Sequence, residues 1–97
     1  MKHIHELVES ARLSYVYAKR RTTRNDCPYV AIHGGGNVMS VVPERGFNKS
    51  LRVHIYHRDG GYRGTYNVSV VVKFINILGR MKPRNFEAAW EHATEVA

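Results

Sequence analysis

The chain has 97 residues, 43% of them hydrophobic and 24% charged, which is ordinary globular usage and enough apolar material for one modest core but not for a core plus a deep substrate cleft. Fifteen Lys and Arg face eight Asp and Glu, leaving a net charge of +7, and ten of the fifteen cations are Arg, whose planar fork matches phosphate and carboxylate. The single cysteine, Cys27, excludes an intrachain disulfide and a multi-cysteine zinc site, and no apolar run reaches membrane-spanning length.

The spacing of Ile4, Leu7, Val8, Ala11, Tyr15 and Ala18 predicts a helix from His3 to Arg21. Glu6 and Glu9 lie early in it and Lys19, Arg20 and Arg21 late, an order that complements the helix dipole. Leu13, Val16 and Tyr17 fall off the main stripe. They form a second apolar patch that either packs against another element or meets a partner, a second copy of the chain included. Arg20 to Asp26 reads as a loop that Cys27 and Pro28 end. Tyr29 to His33 and Val38 to Val42 are strands joined by Gly34, Gly35, Gly36 and Asn37, and Pro43 to Gly46 closes this hairpin.

Next, Leu51, Val53, Ile55 and His57 alternate with Arg52, His54, Tyr56 and Arg58, the period of a half-buried strand. Asp59, Gly60 and Gly61 turn the chain into a return strand, Tyr62 to Tyr66, with Tyr62 and Tyr66 on one face and Arg63 and Thr65 on the other. Val70, Val71 and Val72 favour strand, but Ser69, Lys73, Asn76 and Arg80 form one polar stripe at helical spacing. A helix over 68–79 follows, capped by Asn67 and ended by Gly79. Asn85 opens a last helix whose apolar face is Phe86, Ala89, Trp90, Ala93 and Val96. The expected architecture is a single α+β domain over 1–97. It has a four-stranded antiparallel sheet of two hairpins, an N-terminal helix and two C-terminal helices, in the order αββββαα.

In this arrangement Arg52, His54, Tyr56 and Arg58 point away from the core, and Arg63 and Thr65 join them across the hairpin. Aromatic rings stack on bases, and Arg both stacks and neutralises phosphate. A second basic group, Lys19, Arg20, Arg21 and Arg24, leaves the first helix and could follow a phosphate backbone. A third, Arg80, Lys82 and Arg84, surrounds Pro83. Charged residues are also what any solvated strand or helix end carries.

Two further strings resemble catalytic motifs without their context, and the histidines form no metal site. His33-Gly34-Gly35-Gly36 lacks the nucleophile elbow that an esterase oxyanion loop requires, and His57-Arg58-Asp59 lacks the length and the following Asn of a kinase. Neither His54 with His57 on a strand nor His3 with His5 on a helix shares a face, so no metal site and no cofactor is expected.

The leading expectation is a non-enzymatic protein that binds nucleic acid through the outward sheet face and the 19–24 run. The alternative is a small phage or mobile-element inhibitor or adaptor. It would bind a host protein of the nucleic-acid machinery through Leu13, Val16 and Tyr17, with the basic surfaces meeting an acidic or nucleic-acid-binding partner. A third reading is a small ribonuclease using His33, His54 and Arg52. A lone cysteine fits a reducing compartment. His3, His5, Glu6 and Glu9 interrupt the opening residues where a secretion signal would be apolar. A cytoplasmic location and a complete small gene product starting at Met1 are therefore expected, with no membrane partner.

Overall fold

In the computed structural model, which describes residues 2–34, 36–43, 52–57 and 61–95, the first helix, α1, spans Lys2–Leu13 rather than running to Arg21. Its end is a Schellman turn. The Tyr15 amide donates to the Arg12 carbonyl at 3.3 Å and the Val16 amide to the Ala11 carbonyl at 2.8 Å. Tyr15 takes the left-handed conformation, with φ 57°. Val16 and Ala11 are both buried, giving the apolar contact that closes this motif. The residues beyond form a strand, β1, Tyr17–Thr22. Pairing with β2 satisfies the backbone groups on one side of it and outweighs a helical periodicity that only Ala18 carried past the turn.

Four more strands follow: β2 Pro28–Gly34, β3 Asn37–Pro43, β4 Arg52–His57 and β5 Gly61–Asn67. The sheet therefore has five strands, not four. It is an antiparallel meander in which each strand pairs with the next in sequence. The expected turns at 44–46 and 59–60, and Leu51 and Val96, lie outside the described residues.

Helix α2, Val68–Arg80, begins where expected: Asn67 caps it by accepting from the Ser69 amide at 3.0 Å. Its end differs. Gly79 lies inside the helix and Met81 caps it. Glycine is required there by the close approach of α1, because a Cβ at this position would overlap the Ser14 carbonyl oxygen. The Ser14 hydroxyl donates to Asn76 Oδ1 across the same contact at 2.8 Å. Helix α3, Phe86–Thr94, is capped by Asn85, which accepts from the Ala88 amide at 3.1 Å.

All three helices pack on one face of the sheet. The strand residues of that face are the apolar ones: Val30, Ile32, Met39, Val41, Val53 and Ile55 are buried against Leu7, Phe74, Leu78 and Phe86. Trp90 meets Phe74 and Tyr66 edge-on, at ring separations of 5.5 and 5.0 Å. Among the described residues no helix is long and apolar enough to cross a membrane.

Candidate functional site

The other face of the sheet carries no helix. Strand pairing fixes which side chains share it. One row crosses the sheet as Lys19, Ala31, Ser40, Tyr56 and Tyr62, and the next as Arg21, Tyr29, Val42, His54 and Thr65. Tyr17, His33 and Val38 form a row at one end, and Arg52 extends the face at the other. Four tyrosines thus share one surface, and Tyr17, Tyr56 and Tyr62 are exposed by 63%, 42% and 54%.

Tyr62 reaches this face through a β-bulge. Ile55 pairs with Gly64 but Tyr56 pairs with Tyr62, so Arg63 is an extra residue in β5. Gly64 accommodates the kink with φ 113°. One inserted residue exchanges the faces of everything beyond it. The expectation that Arg63 points outward and Tyr62 shares a face with Tyr66 is corrected accordingly. Arg63 turns to the helix layer and forms a forked ion pair with Glu87 of α3, at 2.7 and 3.2 Å. Tyr66 faces the core, and Tyr62 joins Tyr56 with ring centroids 5.1 Å apart.

On the open face the hydroxyls of Tyr62 and Thr65 lie 2.8 Å apart, and His54 Nδ1 sits 3.2 and 3.1 Å from them. This closed cluster fixes the Tyr62 ring. Tyr17 and His33 make an edge contact at 5.0 Å. His33 and His54 do not come together. Their partners on β3 are Val38 and Val42, four residues apart, or about 13 Å along a strand.

The expected basic groups are redistributed. Lys19 and Arg21 stand on the open face, whereas Arg20 lies between them on the helix side, its guanidinium 2.7 Å from His5 Nδ1. Arg24 occupies the β1–β2 turn. Arg80 ends α2, and Lys82 and Arg84 follow it before α3, so this group belongs to the helix layer rather than to the open face. Arg84 donates to the Tyr15 carbonyl at 2.7 Å and ties the α2–α3 connection to the end of α1. Arg12 pairs with Glu9 at 2.5 Å; this hydrogen bond holds the Glu9 carboxyl below, and the Arg12 guanidinium above, their ordinary pKa values. Arg58 lies outside the described residues. Of the apolar trio, Leu13 is exposed on α1, Val16 is buried, and Tyr17 belongs to the sheet face, so the three form no second helix patch.

The carboxylates are segregated. Glu6 and Glu9 lie on α1, Glu87 and Glu91 on α3, and Glu95 caps α3. Among the described residues no strand carries an acidic side chain, and Asp26 in the β1–β2 turn is the one carboxylate of the sheet layer. Comparison with protein-family models, with curated proteins and with solved structures finds no match to this chain.

Proposed function

We propose that the protein binds single-stranded nucleic acid on the open sheet face and does not cleave it. The supporting observation is the composition of that face: exposed Tyr17, Tyr56 and Tyr62, with Lys19 and Arg21 on the same face along β1, and no carboxylate among the described strand residues. Aromatic rings on an open sheet stack on unpaired bases, and adjacent cations neutralise the phosphates between them. A duplex hides its base faces, so the tyrosines favour single strands. The separation of His33 from His54 supports binding without acid–base cleavage.

Fluorescence anisotropy with a labelled single-stranded oligonucleotide tests this. Tyr56→Ala with Tyr62→Ala is expected to weaken binding about tenfold or more, since stacking contributes ~1–3 kcal/mol per base. Unchanged affinity in this folded double variant would rule the face out, and shortening of the oligonucleotide on incubation would overturn the non-enzymatic part.

A second reading, an inhibitor or adaptor that binds an acidic host protein, draws on Leu13 and Tyr15. They are 65% and 87% exposed beside a depression of about 310 Å³ between α1 and α2. A stoichiometric protein partner recovered after nuclease treatment, and absent with Leu13→Ser, would favour it.

A further inference from the structure

An open depression of about 470 Å³ lies on the sheet face, within the ~300–1,000 Å³ range of small-molecule sites. Val42 and Ser40 of β3 form its floor, Tyr29 and Tyr56 flank it, and the β1–β2 turn rises along one side. Tyr29 and Tyr56 stem from strands two positions apart and from neighbouring rows, a diagonal of about 12 Å at ordinary strand spacing, so the two rings border the space over Val42 and Ser40 from opposite corners.

The turn is tied at both ends. The Asp26 amide donates to the Thr23 carbonyl at 3.0 Å, the Thr23 amide to the Cys27 carbonyl at 2.9 Å, and the Cys27 amide to the Thr23 hydroxyl at 3.1 Å. Asp26 adopts φ 58°, the left-handed step that follows the tight turn in such hairpins. These bonds hold Asn25 at the rim. Its carboxamide and the Ser40 hydroxyl are not engaged by any other described side chain. Arg21 lies directly across from Tyr29, and Arg24 precedes Asn25, so cations flank the depression, and Asp26 does not line it.

We propose that this depression takes one unstacked nucleobase of the bound strand and discriminates among bases through Asn25. The proposal rests on the nucleic-acid reading above and adds selectivity to it. A carboxamide offers a donor and an acceptor side by side, the arrangement that pairs with an adenine edge. Tyr29 or Tyr56 supplies a π-face to the base from its side of the depression, and Arg21 and Arg24 meet the flanking phosphates.

The test uses four short single strands, each with one A, C, G or U between abasic positions, and measures binding by anisotropy across a salt series. The wild type is expected to bind the adenine strand at least fivefold more tightly than the weakest of the others. Asn25→Ala, in an exposed turn, is expected to erase that preference while leaving the salt dependence unchanged. Ser40→Leu, which fills the floor, is expected to do the same. If wild type and Asn25→Ala show equal preferences, or the wild type shows none while still binding all four, the base pocket is overturned and the stacking face stands. If the wild type binds none of the four but does bind a strand carrying a base at every position, the base pocket alone is overturned; if it binds neither, both are.

Discussion

At the junction of α1 and α2 a tyrosine holds the conformation glycine favours, and a glycine sits inside a helix where alanine is ordinarily better. Tyr15 is held left-handed by the Schellman turn and buries little of its ring. A left-handed residue with a Cβ costs roughly 1–2 kcal/mol, partly offset by the greater freedom glycine has in the unfolded chain. Tyr15→Gly is therefore expected to stabilise the fold by about 0.5–1 kcal/mol, read as a higher urea midpoint at unchanged slope. Gly79→Ala has the opposite sign from the usual helix substitution. The added methyl meets the Ser14 backbone and costs about 1–3 kcal/mol as overpacking, against a propensity gain of ~1 kcal/mol. Neither residue was legible in the sequence. A tyrosine gives no signal of a helix stop, and Gly79 resembles one without being one, because its cause is the approach of a residue 65 positions earlier, Ser14.

The elements divide by whether local pattern or pairing defines them. Helix α2 was readable against the strand propensity of Val70, Val71 and Val72, since Ser69, Lys73 and Arg80 keep one exposed stripe and Asn67 supplies the cap. β2 through β5 were readable from alternation and turn residues. β1 was not: its residues continue an apolar spacing from α1, and only the partner strand makes it extended. As an edge strand, β1 also gains from Lys19, Arg20 and Arg21, which discourage edge-to-edge pairing. The bulge in β5 was invisible too, because one extra residue changes no composition. It places Arg63 and Tyr62 in opposite layers, and this gives a paired prediction. Arg63→Ala removes the Glu87 ion pair and at most ~1 kcal/mol of stability, as expected for a partly exposed pair, with no change in oligonucleotide affinity. Tyr62→Ala, one residue away, weakens binding and leaves the Arg63–Glu87 pair in place.

Across the whole molecule, the outward placement of Arg52, His54 and Tyr56 on β4 was legible in the sequence, while the continuation of that face through Tyr29, Tyr17 and Lys19 depended on strand order. Each of the three expected basic groups divides between the layers or lies in the helix layer, and the surface that results is set by the meander. Lys19→Ala with Arg21→Ala is expected to flatten the dependence of log K on log salt by about 1.4, at ~0.7 for each phosphate that a cation neutralises on a single strand, without altering thermal stability by more than about 0.5 kcal/mol. That no described strand carries a carboxylate has a consequence for arrival. In the proposed reading, Lys19 and Arg21 draw phosphates to the sheet face with no strand carboxylate to repel them, so ionic strength acts first on the association rate and only later on the lifetime of the complex.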